Sequence, residues 1–209
     1  SIFTNRVVAT VNAYETSFVT RTTNARGNVT LTQYQTLDQP TTDAPVYIQH
    51  PGGAYTDIDR DIFGKPEILS RRDAATNSIS RKYTYNTYQE LCRVFEPETE
   101  NTFLGYDLAG NLEWSASGYT TTAIGCLAKT SVAARRADRA YDSLNRITSL
   151  TFADGKGDTT YTYHPDGQQN VLIVDNGDGN IVSTTYAYNR RRLLTSERMD
   201  WNAIHWTVS

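Results

Sequence analysis

The sequence predicts an all-β protein built from antiparallel hairpins. Three observations carry that prediction. The chain of 209 residues holds 14 Tyr and 6 Phe with only 21% charged residues, and aromatic and β-branched side chains favour pleated, half-buried surfaces. Short stretches alternate with period two: Tyr161 and Tyr163 share one face against Thr160 and Thr162, and "STTYAYN" and "RKYTYN" repeat the pattern. A turn signal then recurs along the chain.

The turn signal is an internal repeat, and a repeat of this period dictates the whole architecture. In "YDLAGNL" the slots are Tyr106, Asp107, two free positions, Gly110, Asn111 and Leu112. "YDSLNRI" repeats them as Tyr141, Asp142, Asn145 and Ile147, and "YHPDGQQ" as Tyr163, His164, Gly167 and Gln169. "RDIFGKP" places Arg60, Asp61 and Gly64 there, and "YNTYQEL" places Tyr85, Asn86, Gln89 and Leu91. Looser copies are Thr23/Asn24/Gly27/Val29, Tyr34/Gln35/Asp38/Pro40 and Tyr188/Asn189/Arg192/Leu194. First positions fall at residues 23, 34, 60, 85, 106, 141, 163 and 188. The long step after Tyr106 implies an insertion, taken as residues 115–138, which contains Cys126.

Each unit reads as a hairpin turn. An Asp or Asn side chain bonds backbone two residues on and starts the turn. Three residues later comes a position that needs a positive φ, suited to Gly64, Gly110 and Gly167 and accessible to Asn145. Gln89 and Arg192 suit that slot poorly, so those copies should have different turns or be strained. The Tyr ends one strand and the apolar residue begins the next. Short strands with such turns imply a mostly antiparallel sheet built by repetition.

At these residues the sequence resembles the YD repeats of Rhs proteins, a family that includes the C components of bacterial toxin complexes and the shells of teneurins. The likeness is clearest from Arg60 to Thr195. It implies a curved or spiralling YD-repeat sheet, a container for the C-terminal segment of its own chain, often a toxin, and a scaffold rather than a catalytic role. The family's shell ends in a core segment with an aspartyl self-cleavage motif, which is not found here. Residues 1–209 are therefore expected to be one repeat segment of a longer protein, or a small open repeat sheet.

Composition narrows the other classes. A formal charge of -3 gives no basic field for nucleic acid. The run Val171–Val174 is too short to span a bilayer. The two cysteines, Cys92 and Cys126, fit no zinc-ligand spacing. They read either as a disulfide, in an exported chain, or as two separate buried thiols.

His164 takes a turn slot, His50 precedes a "PGG" loop and His205 lies in an apparent strand; no nucleophile-elbow motif is present. "DNGDGN" (175–180) has the letters of a calcium loop, but the spacing is wrong and Ala187 stands where a closing Glu is needed, so a hairpin loop is the better reading. Arg190, Arg191 and Arg192 are a candidate ligand surface for phosphate or acidic sugar, against the plainer reading of solvated charge. The sequence thus points to a non-enzymatic scaffold with no cofactor and no metal, secreted or on the surface of a bacterium. Its partners would be a polypeptide cargo or further repeats, with edge-to-edge homodimers a further expectation. The alternative is a cell-surface adhesion or carbohydrate-binding module whose exposed Tyr rings stack on sugars.

Overall fold

A computed structural model describes residues 8–13, 18–35, 42–75, 77–201 and 204–208. The described residues are all-β apart from one short 3-10 helix, Lys129–Arg135. The chain divides into two compact units: residues 1–84 with 94–99, and residues 85–93 with 100–209.

The first unit contains β1 (Val8–Ala13), β2 (Phe18–Thr23), β3 (Val29–Tyr34), β4 (Pro45–Gln49), β5 (Tyr55–Arg60), β6 (Pro66–Arg72) and most of β7 (Ser78–Tyr85). They pair in sequence order, each antiparallel to the next. Strand β8 (Leu91–Glu96) is divided between the units. The second unit continues with β9 (Glu100–Tyr106), β10 (Leu112–Tyr119), β11 (Arg136–Tyr141), β12 (Ile147–Phe152), β13 (Asp158–Tyr163), β14 (Gln169–Asp175), β15 (Ile181–Tyr188), β16 (Leu194–Trp201) and β17 (Ile204–Val208). From β9 onward these too form an antiparallel meander in chain order.

The alternation read from the sequence has a physical counterpart on β13. Thr160 and Thr162 are exposed, whereas Thr159 is buried and Tyr161 and Tyr163 are half-buried. In each unit the sheet buries side chains chiefly against their same-face neighbours, so few are fully enclosed. Among the described residues the buried apolar set is Ile58, Cys92, Phe103, Trp114, Ala116 and Val132. Four of them, Phe103, Trp114, Ala116 and Val132, form one cluster with Tyr119 and Leu127 packed on it.

That cluster exists because of the long connection between β10 and β11. Ser115–Tyr119 and Arg136–Asp138 are strand, so the connection itself is residues 120–135, with the 3-10 helix laid on β10. Gly105 makes room for it: a Cβ there would stand 2.1 Å from the Trp114 indole nitrogen. Cys92 and Cys126 are joined as a disulfide, tying the connection to β8. Beneath it Arg93, 7% exposed, donates to Asn101 Oδ1 at 2.7 Å and to the Ile124 carbonyl at 2.9 Å. Asn101 Nδ2 in turn donates to the Tyr119 carbonyl at 2.7 Å. Burial pushes the Arg93 guanidinium below its ordinary value, but a guanidinium so basic stays charged. Lys129 closes the far side, bonding Glu113 at 2.6 Å and Asp138 at 2.9 Å.

Candidate functional site

The residues that recur are best understood one turn at a time. In the Asp107 turn, the Asp107 N–H donates to the Asn111 carbonyl at 2.9 Å, and the Gly110 N–H donates back to the Asp107 carbonyl at 3.0 Å. Asp107 Oδ1 accepts from the Ala109 and Asn111 N–H groups, both at 2.9 Å. Gly110 sits at φ +82° with open space around it. The same circuit forms at Asp61, where Oδ1 takes Phe63 and Lys65 N–H groups and Gly64 has φ +81°. It forms again at Asp142 with Asn145 at φ 58°. Asn24, Asn86 and Asn189 accept the same pair of backbone bonds. His164 supplies only its backbone to the frame, with Gly167 at φ +91°.

Gln89 and Arg192 adopt the same turn, at φ 65° and 63°, so those copies keep the geometry and carry its strain. The Gln35 copy departs: its N–H closes on the Ala44 carbonyl, giving a longer connection than the five-slot frame. Asp38 and Pro40 lie outside the described residues. One further turn escaped the sequence pattern. Asp73 Oδ1 accepts from the Ala75 and Asn77 N–H groups, both at 2.9 Å. Its first slot holds Arg72, as Arg60 does in an accepted copy, but Thr76 and Ser78 stand where most copies have Gly or Asn and an apolar residue.

The recurring carboxylates are consumed by these bonds. The Asn111 side chain, then its N–H, hold Asp107 below the usual carboxylate range. The Arg146 side chain does most to hold Asp142 down, with Nε donating to Oδ2 at 2.7 Å. A carboxylate so stabilised is a poor general acid or base near neutral pH.

The repeated tyrosines have a job the sequence did not disclose. Tyr106 Oη donates to the Leu91 carbonyl at 3.0 Å, Tyr141 Oη to the Leu112 carbonyl at 3.0 Å, and Tyr163 Oη to the Ile147 carbonyl at 2.7 Å. In each case the first slot of one copy bonds the last slot of the copy before. Where Arg60 replaces Tyr, its Nε and Nη2 reach the Pro45 carbonyl at 3.1 and 3.0 Å. Pro45 pairs with Tyr34 as Leu112 pairs with Tyr106, so the carbonyl is the equivalent one. Burial pushes the Tyr106 and Tyr163 phenols up, which keeps them protonated as donors.

Neighbouring turns are also linked. Asn111 Nδ2 donates to Asn145 Oδ1 at 3.0 Å, and Gln168 Nε2 to the Arg192 carbonyl at 2.7 Å. Arg146 lies 4.4 Å from the Tyr163 ring centroid. Arg192 donates to the Asp166 carbonyl and pairs with its carboxylate at 3.4 Å. These contacts give Asn145 and Arg192 a use at a position where Gly is easier.

The other candidates are placed as follows. His50 Nε2 is 2.8 Å from Thr56 Oγ1, and the His164 ring packs edge-on against Tyr188. The side chain of His205 is outside the described set. Asp175 Oδ1 accepts the Gly177 N–H at 2.8 Å within a hairpin loop closed by Asn176 and Asn180. Arg190 and Arg191 are exposed at a turn tip. A groove of 560 Å³ is lined by His164, Asp166, Asn170, Tyr186 and Tyr188 among others. Among the described residues no cluster of three His, Cys, Asp or Glu could hold a metal, and no helix is long and apolar enough to cross a membrane.

An antiparallel meander of repeated hairpins defines a class of repeat fold, and solved structures share that fold. The chain is similar to a Photorhabdus luminescens Tc holotoxin pore structure with TM-score 0.66 and 14% identity, covering 97% of this chain and 12% of that one. It is similar to TcdB2–TccC3 without its hypervariable C-terminal region (TM-score 0.63, 12% identity, 93% of this chain, 12% of that). A TcdB2–TccC3–Cdc42 structure follows at TM-score 0.58 and 11% identity, covering 89% of this chain and 11% of that one. The chain thus spans about an eighth of the length of the structures it matches. No family model and no curated protein matches the sequence.

Proposed function

We propose that residues 1–209 are one wall segment of a YD-repeat shell of the Rhs and toxin-complex kind. The segment is non-catalytic and helps to enclose or present a polypeptide cargo, in a protein exported by a bacterium. The observation that carries this reading is the tether: Tyr106, Tyr141 and Tyr163 each bind their hairpin to the one before, and the recurring Asp closes its own turn. The repeated residues are spent on extending a sheet, which is what a wall requires. The sheet's curvature is part of the proposal, as are the remaining repeats that would complete the wall. The disulfide suits an oxidising compartment, and the fold shared with Tc toxin structures suits an exported toxin.

Limited proteolysis of the full-length protein that carries this segment tests the reading. Chain enclosed by the wall resists protease while the wall is intact and is digested once Gly64→Val and Gly110→Val disrupt two turns. Equal digestion of both forms overturns it. Glycan-array binding lost on Tyr186→Ala would instead establish the adhesion module, with the exposed Arg190 and Arg191 following Asn189 of the groove in the chain.

A further inference from the structure

The connection from β10 to β11 is a strap with two fixed feet. At the first, the Tyr119 ring packs edge-on against Phe103 with centroids 6.3 Å apart, and the Tyr119 carbonyl accepts from Asn101. At the second, Val132 is fully buried and Lys129 pairs with Glu113 and Asp138. The Lys129 carbonyl also accepts from Arg136 Nη1 at 3.0 Å. The feet are bonded to each other: the Arg135 N–H donates to Tyr119 Oη at 3.2 Å, and its guanidinium to the Gly118 carbonyl at 2.7 Å.

The middle of the strap, residues 120–128, reads "TTTAIGCLA". None of these residues is buried, and none is charged, so no side-chain ion pair can hold the stretch down. It is held by the Cys92–Cys126 disulfide, by the bond from Arg93 to the Ile124 carbonyl, and by Leu127 packed on the apolar cluster. The groups around its anchorage are buried: Cys92 is 4% exposed, Arg93 7% and Asn101 1%. The two half-cystines differ. Cys92 is enclosed, whereas Cys126 is exposed, where an external thiol can reach it.

We propose that the Cys92–Cys126 disulfide is a redox latch: a thiol reductant frees residues 120–128 from β8 while the sheet and both feet of the strap stay in place. An external thiolate attacks Cys126, forming a mixed disulfide and expelling the Cys92 sulfur, which takes up a proton. A second reductant thiol breaks the mixed disulfide. The chain gains two electrons and two protons, and the two reductant thiols leave as one disulfide. Exposure is what separates labile disulfides from inert ones. Release uncovers the Arg93 guanidinium and Asn101 without parting a strand pair. The release does not depend on the wall reading. Only its setting does, since an exported chain forms the bond and a thiol-rich compartment breaks it.

Hydrogen exchange read by mass spectrometry tests the latch, on the full-length protein that carries this segment, before and after treatment with dithiothreitol or reduced glutathione. Alkylation checks that both cysteines are reduced. Amides of residues 121–128 should exchange faster by roughly tenfold or more in the reduced protein, while those of β10 and β11 keep their protection. Cys126→Ser should show the open pattern with no reductant present. A bond that yields to neither thiol until denaturant is added overturns the proposal. So does unchanged exchange in the reduced protein, or a loss of protection that spreads through β10 and β11.

Discussion

The two rims of the second unit are built on opposite plans. Because the strands run antiparallel, alternate connections fall on opposite ends of the sheet. One end carries the turns at Asp107, Asp142, His164 and Asn189, all in one geometry and bonded to one another. The other carries the 120–135 connection with its disulfide, a loop after Phe152 and a loop after Asp175, each closed by different bonds. A single repeated turn is sufficient to set the spacing of a strand pair. The opposite end is then free to vary in length and to hold the buried cluster of Phe103, Trp114 and Val132.

Removing the disulfide should test the irregular rim most severely. Cys126→Ser releases a loop of 34 residues and should cost about 3–4 kcal/mol on the chain-entropy model, read by thermal or urea unfolding. Gly110→Val tests the regular rim. Space is open there, so its cost is backbone strain alone, about 2 kcal/mol. Gly110→Asn should cost much less, because Asn145 holds the same slot. Tyr141→Phe removes only the phenol bond to Leu112 and should cost about 1 kcal/mol. A loss below a few tenths would mean the tether is incidental.

Acid should weaken the regular rim selectively. The folded pKa values of Asp107 and Asp142 are depressed, so their contribution is present above the unfolded carboxylate range and is lost as pH falls through the folded values. Asp107→Asn keeps an oxygen acceptor for the two backbone bonds. Its melting temperature should therefore fall less between pH 7 and pH 3 than that of the parent chain. The smallest effect is a gain: Gln89→Gly relieves a non-glycine residue at φ 65° and should stabilise by up to about 1 kcal/mol. A loss there would show that the Gln89 side chain matters more than its backbone.

The strands and turns were legible because the information is local. Asp107 and Gly110 lie three residues apart, and the physics of the turn is contained between them. The tethers were not legible in that way. Tyr141 and Leu112 are 29 residues apart, and Tyr is also the residue expected for plain packing, so nothing in the letters separated the two roles. Gly105 was equally silent, since its reason is the indole of Trp114 above it. The Asp73 turn was missed for a different cause: Thr76 and Ser78 fill the slots where most copies carry Gly or Asn and an apolar residue.

The tether also decides how such a chain can be edited. Tyr106, Tyr141 and Tyr163 each reach a carbonyl at the start of the strand before their own, on the same rim. Loss or gain of a single strand would part the Tyr at the junction from its carbonyl and carry every later turn to the opposite end. Loss or gain of two strands would leave each remaining phenol with a carbonyl of the same kind. The hairpin pair is thus the smallest interchangeable part of this chain, and recombination between copies should succeed in steps of two strands and fail in steps of one.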